Sequence, residues 1–361
     1  MKISRLVLIA IVILVVVIVA VVALVLLQSP GPPCTSSWSC GAAYPTQVSG
    51  TAAIAGQQCV NNSTVIVCIG GQDANGGPRD EVYLATLSSS GNITGWTLET
   101  NQYPRVINGQ SCVLSGGHVY CVGGSYNSNP DDTNASYFAP FSASGVVGTW
   151  GTTTGFPIAA DSQSCVAAYS HIYCVGGYNE TDGQANDAVT SSSVWYASLS
   201  SSGIGTWIKT TPYPTNFFLP TCVTVSGYIY CMGGIDENGN SVGAAYFAPI
   251  SSTGVGSWTS VAAYPLPASG LACVLVYTTV TCVGGVTAGG QSPTYTSAVY
   301  YAMVSPSGIS EWKSGPDYPT AVSTDCVAST TVVYCVGGFD GSTAMENSAV
   351  KYASMTQLTT A

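Results

Sequence analysis

The chain has 361 residues, 46 % of them hydrophobic and only 7 % charged, with a formal net charge of −10. Low charge at this apolar content excludes a disordered chain. Seven Lys and Arg against 17 Asp and Glu speak against a nucleic-acid partner, because phosphate binding needs clustered cations.

Residues 6–27 are 22 apolar residues without a charge, Gly or Pro. At about 1.5 Å per residue they span roughly 33 Å, matching a hydrocarbon core of about 30 Å. Lys2 and Arg5 precede them, and positive charge keeps that end cytoplasmic. The expectation is a cytoplasmic stub over residues 1–5, a transmembrane helix over 6–27 and a linker over 28–34. A cleaved signal peptide would have a shorter apolar region and an Ala-x-Ala site; Gln-Ser-Pro-Gly-Pro-Pro follows instead. A filament-core helix of pilin type is the other alternative, and the Pro-Gly-Pro-Pro break opposes a long continuing helix.

From residue 59 onward a unit recurs six times: Cys, then nine residues later Cys-x-Gly-Gly. The pairs are Cys59/Cys68, Cys112/Cys121, Cys165/Cys174, Cys222/Cys231, Cys273/Cys282 and Cys326/Cys335, and successive copies start 53, 53, 57, 51 and 53 residues apart. A period near 50 residues reads as a propeller of four-stranded blades. In the second copy, 110–115 is a strand, Gly116-Gly117 a two-residue turn and 118–122 the returning strand. The third strand covers 136–141, and Gly148-Thr149-Trp150 opens the fourth. The other copies repeat this grammar, with Tyr83, Trp195-Tyr196, Tyr246, Tyr300-Tyr301 and Tyr352 in third strands and Trp96, Trp207, Trp258 and Trp312 in fourth strands. Each of these Trp residues is followed by an aromatic-Pro pair, from Tyr103-Pro104 to Tyr318-Pro319. Helical periodicity is absent beyond residue 27, so the expected class is an all-β, six-bladed β-propeller over residues 35–361.

With Gly116-Gly117 as the turn, Cys112 and Cys121 oppose one another at a non-hydrogen-bonded site, where Cα atoms lie about 4.5 Å apart, within reach of a disulfide. The constant spacing extends this pairing to all six copies. Each cystine closes a loop of about ten residues, worth roughly 2–3 kcal/mol by chain entropy. Cys34 and Cys40 pair with each other. Fourteen cysteines in even pairs imply an oxidising compartment, and the sequons at Asn61, Asn62, Asn92, Asn134 and Asn179 agree with export as glycosylation candidates. Zinc would need closer Cys spacing with His partners.

The order Gly-Gly, Tyr, Trp at this period resembles the kelch repeat over residues 35–356. The internal cystines are not a general kelch feature, and the family's Arg after the aromatic-Pro stands only at Arg105. The resemblance implies a propeller used mostly as a binding surface and in a few members as a copper oxidase.

The sixth repeat lacks a Trp strand, whereas Thr35-Ser36-Ser37-Trp38-Ser39 carries one and Tyr44-Pro45 follows. Residues 35–39 are therefore expected to complete blade six and close the ring, removing an exposed edge. A seven-residue linker reaches at most about 25 Å, so the face with the short hairpin turns should look toward the membrane and the long-loop face outward.

The outward loops hold 12 of 17 carboxylates, among them Asp131, Asp132, Asp182 and Asp236, as a solvated face or as a site for a cation or polar ligand. Asp236-x-Asn238-x-Asn240 matches the first half of a calcium loop, with Ser241 where Gly is required. Strand one lines the channel of a propeller. Gln57, Gln110 and Gln163 share a position there, two before the cysteine, and could meet a sugar or peptide or hold ordered water. His118 and His171 fall just after turns, and no Ser-His-Asp or Cys-His set can be assembled. No cofactor is expected. The sequence thus points to a membrane-bound extracellular binding or adhesion module for a glycan or protein. Its alternatives are an envelope or filament component and a carbohydrate-active enzyme using loop carboxylates.

Overall fold

Each Cys…Cys-x-Gly-Gly unit folds as an antiparallel hairpin, because short apolar strands are joined by a tight turn, and in blades two to five that turn includes positive φ that matches the strand twist. The computed structural model describes residues 34–45, 55–62, 64–73, 75–126, 132–179, 189–288, 293–340 and 349–360. The expected stub, span and all but the last residue of the linker lie outside these. Among the described residues no helix is long and apolar enough to cross a membrane.

Six sheets form. The first runs Gln58–Asn61, Val65–Ile69, Val82–Leu87, Ile93–Leu98, each strand pairing with the next. In the third, fourth and fifth blades the outermost edge is split: Val194–Ser200, for example, pairs with both Gly203–Ile204 and Ile208–Lys209. The hairpin cysteines sit directly opposite in register and are joined as Cys59–Cys68, Cys112–Cys121, Cys165–Cys174, Cys222–Cys231, Cys273–Cys282 and Cys326–Cys335, with Cα atoms 4.0–4.1 Å apart. That is closer than the spacing of about 4.5 Å expected for an open non-hydrogen-bonded pair. Cys34 joins Cys40 with Cα atoms 5.5 Å apart. The hairpin turns use left-handed backbone: Gly116 and Gly117 in blade two, Tyr169 and Ser170 in blade three. The innermost strands of successive blades lie side by side around a central channel, and the first neighbours the sixth.

Two repeated contacts tie each blade to the next. The aromatic of every aromatic-Pro pair stands edge-on against the Trp of the following blade. The pairs are Tyr44–Trp96, Tyr103–Trp150, Phe156–Trp207, Tyr213–Trp258 and Tyr264–Trp312, with ring centroids 4.8–5.2 Å apart. Each such pair is worth about 0.5–1.5 kcal/mol beyond its buried area. Each indole N–H donates to the carbonyl two residues before the aromatic, as Trp96 to Ala42 at 3.0 Å and Trp150 to Asn101 at 3.2 Å. On the second strands, buried Tyr120, Tyr173, Tyr230 and Tyr334 donate to carbonyls in the next blade's outer turn, at Ser200, Ser251, Ser305 and Gly91.

The sixth aromatic pair is Tyr318–Trp38, at 4.9 Å, and Trp38 Nε1 donates to Pro316 O at 3.3 Å. Trp38 thus takes the blade-six position from the other end of the chain. The paired residues are Ser39 and Cys40, opposite Tyr352 and Lys351, rather than all of 35–39. Thr35–Trp38 forms a turn, with the Thr35 N–H donating to Trp38 O and the Trp38 N–H to Thr35 Oγ1, which swings the indole inward. One element departs from the all-β expectation, a helix at Met355–Thr359. Ser354 and Gln357 cap it reciprocally, and its Leu358 is buried in the same cluster as Trp38. A single helical turn is too short to register as periodicity.

Candidate functional site

The innermost strands begin at the face carrying the long loops, and there the channel opens into a cavity of about 490 Å³ lined by all six blades. Its rim is a backbone belt. The residue three before each first cysteine adopts left-handed φ in five blades: Gly56 (64°), Gly109 (64°), Ser162 (55°), Leu219 (53°) and Gly270 (56°). This turns the peptides tangentially, so that Gly109 N–H donates to Gly56 O, Ser162 N–H to Gly109 O and Leu219 N–H to Ser162 O, at 3.0–3.1 Å. Glycine adopts this geometry freely, whereas a side chain costs about 1–2 kcal/mol there. Ser162 and Leu219 therefore carry strain on the rim.

Immediately before the cysteines lies a second ring: Gln58, Ser111, Ser164, Thr221, Ala272 and Asp325. Its side chains cross-link blades. Ser111 Oγ accepts from Cys165 N–H and Ser164 Oγ from Cys222 N–H, both at 3.0 Å. Asp325 Oδ2 accepts from Cys59 N–H at 2.5 Å across the seam between blades six and one. Burial pushes the Asp325 carboxyl up to about 7, although the amides of Cys59 and Cys326 favour its charged form. Asp325 is part-exposed at the cavity surface, with the protein packed densely around the rest of the side chain. Among the described residues no Lys, Arg or His lines the cavity, and the other lining carboxylate is Asp161. Among the described residues no group of three or more His, Cys, Asp or Glu could hold a metal ion.

The two halves of each hairpin cystine are placed differently. Cys59, Cys165, Cys222, Cys273 and Cys326, on the innermost strands, line the cavity wall, and Cys112 directly follows the lining residue Ser111. Their partners Cys68, Cys121, Cys174, Cys231, Cys282 and Cys335 do not reach it. These six are fully buried, one in each of the six hydrophobic clusters between blades. The second strand is covered within its sheet by the first and third strands, and on its faces by the neighbouring blades. The spacing alone treats both cysteines of a pair alike; the structure removes Cys68, Cys121, Cys174, Cys231, Cys282 and Cys335 from any ligand-contacting role and leaves them as braces of the core.

Gln57, Gln110 and Gln163 line the cavity, as their shared position leads one to expect. They are almost fully buried in the channel wall, and their Nε2 groups donate to the preceding blade's Val336, Ile69 and Val122 carbonyls at 2.6–2.8 Å. They tie blades together, whereas Thr324, at the same position, donates to Val336 O within its own blade. Sequence reading missed Asp325, although the position before the cysteine reads Gln, Ser, Ser, Thr, Ala, Asp across the copies, and only one is ionisable.

Among the described loop candidates, neither Asp132 nor Asp236 lines the cavity. Asp131 and Asp182 lie outside the described residues. Asp132 bridges Ser125 through its backbone. Asp236 Oδ1 accepts from the N–H groups of Asn238 and Asn240, both at 2.9 Å. Asn240's backbone N–H leads in holding this carboxyl below its usual range. The calcium-like motif is thus a loop closed by its own aspartate. Asp73 pairs with Arg79. Among the sequons, Asn61 Nδ2 donates to Ala328 O at 2.8 Å and Asn62 Oδ1 caps the hairpin turn. Asn179 donates to Ala159 O. Asn92 and Asn134 are exposed, and Asn92 Oδ1 accepts from Tyr352. His118 and His171 stand on the opposite, short-turn face, with Nδ1 against Gly116 O and Tyr169 O.

No protein-family model matches the sequence, and no curated protein does. Among solved structures, the chain is similar to that described as "Structure of YjhT", with a TM-score of 0.66 and 11 % identity over 86 % of this chain and 95 % of that one. This likeness shows the fold alone: a six-bladed β-propeller.

Proposed function

We propose that the chain is a cell-surface recognition module, anchored through residues 6–27 with its propeller outside the cell, that binds a glycan or protein partner through the long-loop face. The observation that carries this reading is the channel mouth, a polar-ringed cavity open on that face and within the volume range of small-ligand sites. Seven cystines support an oxidising, extracellular setting. The kelch-like grammar of the repeats supports use as a binding surface. A glycan array, together with capture of surface proteins, tests the reading; absence of any specific ligand on both contradicts it.

A second reading, a carbohydrate-active enzyme, draws support from the two carboxylates, Asp325 and Asp161, that line one cavity from opposite blades. Glycoside hydrolysis uses a carboxylate pair, one of them with a raised pKa. Hydrolysis of a glycoside substrate that is lost in both Asp325→Asn and Asp161→Asn would establish it.

A further inference from the structure

We propose that the channel mouth seats a non-anionic sugar residue, neutral or amine-bearing, with Asp325 as the group that selects against negative charge. This rests on the reading of the loop face as a recognition surface and gives it a site and a ligand class. The argument begins with charge. Among the described residues Asp325 lines the cavity with no Lys, Arg or His beside it, and the other titratable lining groups are Asp161 and Tyr295. A carboxylate on the ligand would meet two like charges and no counter-ion in a confined space, a costly arrangement.

Hydrogen-bonding capacity comes next. A carboxylate has about four lone-pair sites. The amides of Cys59 and Cys326 use part of that capacity, which leaves acceptor positions for ligand hydroxyl or ammonium donors. Ser111 and Ser164 spend their oxygens as acceptors from backbone N–H groups, so their O–H groups remain as donors. Thr221 adds a third hydroxyl to the ring. Hydroxyl donors at Ser111, Ser164 and Thr221 and a carboxylate acceptor at Asp325 thus share one ring of a cavity of about 490 Å³, a mix of groups that a polyhydroxylated ring can meet. A purely apolar or anionic ligand would leave this ring unmatched.

The elevated pKa of Asp325 adds a pH signature. Near pH 8 the carboxylate is charged and favours an ammonium; below pH 6 it is protonated and that preference fades. Asp161 faces the same cavity, and no His or Lys there titrates in the opposite sense.

The test uses the full chain, purified in a detergent without a sugar headgroup, and three probes sharing one ring: glucose, glucosamine and glucuronate. Binding is measured by saturation-transfer NMR and calorimetry at pH 8 and pH 5.5, for wild type and Asp325→Asn. Asn keeps an oxygen to accept from Cys59 N–H, so the seam retains its bond. At pH 8, glucosamine and glucose should bind at least ten-fold more tightly than glucuronate. Asp325→Asn should weaken glucosamine about ten-fold and narrow the gap to glucuronate, and pH 5.5 should weaken glucosamine in wild type without any substitution. Preferential binding of glucuronate, equal binding of all three, or affinities unmoved by both the variant and pH would overturn the proposal. Binding on a glycan array that survives Asp325→Asn unchanged would place recognition elsewhere on the loop face, overturning this inference while sparing the broader reading. An array and probe set that show no binding at all would overturn both.

Discussion

Replacing Trp38 by Ala tests whether the ring is held shut by a residue from the far end of the chain. Trp38 is fully buried, stands edge-on to Tyr318 at 4.9 Å and donates to Pro316 O at 3.3 Å. A Trp side chain buries about 150–250 Å², which at about 25 cal/mol per Å² is roughly 4–6 kcal/mol. Large-to-small core substitutions of Trp cost about 3–5 kcal/mol. We therefore expect a loss of about 4 kcal/mol, a large part of the roughly 5–15 kcal/mol that stabilises a typical domain. Equilibrium urea unfolding under non-reducing conditions reads it, with Trp38→Phe as a control that keeps an aromatic ring and loses the N–H. The control should cost about 1–2 kcal/mol. A loss under 1 kcal/mol for Trp38→Ala would refute the reasoning, because the other five Trp–aromatic pairs would then suffice to hold the ring.

Removing residues 28–45 should expose the edge of Val350–Ser354 and give an associating, less stable protein, while removing 1–27 should leave a stable monomer; size-exclusion chromatography distinguishes them, and identical behaviour would contradict closure. Cys34–Cys40 should be the first cystine opened by a mild dithiol, read by alkylation and peptide mapping. Both its cysteines are exposed and the Lys351 ammonium lies 3.1 Å from Cys40 Sγ, stabilising the departing thiolate, whereas every hairpin cystine has a fully buried second cysteine. Asp325→Asn should raise stability at pH 8. The folded carboxyl titrates near 7 and the unfolded one near 3.9, so the folded protein holds a proton that the unfolded chain releases between those values. This group's contribution to stability therefore improves as pH falls from 8 toward 4. After discounting for solvent in the cavity, the gain at pH 8 is about 1–3 kcal/mol, and melting curves at pH 8 and 5 that do not differ between wild type and variant would count against it.

The repeat was legible because its signals are local: a constant nine-residue cysteine spacing dictates opposed positions in a hairpin, and Gly-Gly marks where strand two ends. Closure was legible from an omission, the missing Trp of the sixth copy, which Trp38 supplies. What sequence could not resolve depends on how blades meet. Spacing pairs Cys59 with Cys68, but only the packing of neighbouring blades decides that Cys59 borders the cavity while Cys68 is sealed in the core. Gln57, Gln110 and Gln163 read as channel-facing by position, and they do line the cavity; what position alone does not show is that the close approach of neighbouring strands buries most of each side chain and turns its Nε2 group onto the adjoining blade's carbonyl. Asp325 looked like one acid among 17, because the amide that it accepts from belongs to Cys59 of blade one, 266 residues away in sequence. The Asp236 motif had the composition of a cation loop, and the backbone path adds that one oxygen of its carboxylate accepts from the N–H groups of Asn238 and Asn240.

Recognition at the channel mouth turns on a carboxylate whose proton is held by burial. Carbon-detected NMR of the Asp325 side chain in the full chain, titrated with and without glucosamine, measures this directly. The expected midpoint is near 7 for the free protein, displaced downward when the ammonium of the sugar occupies the cavity. A midpoint near 4 that glucosamine leaves unmoved would contradict this, since it would describe a solvated carboxylate in a water-filled channel.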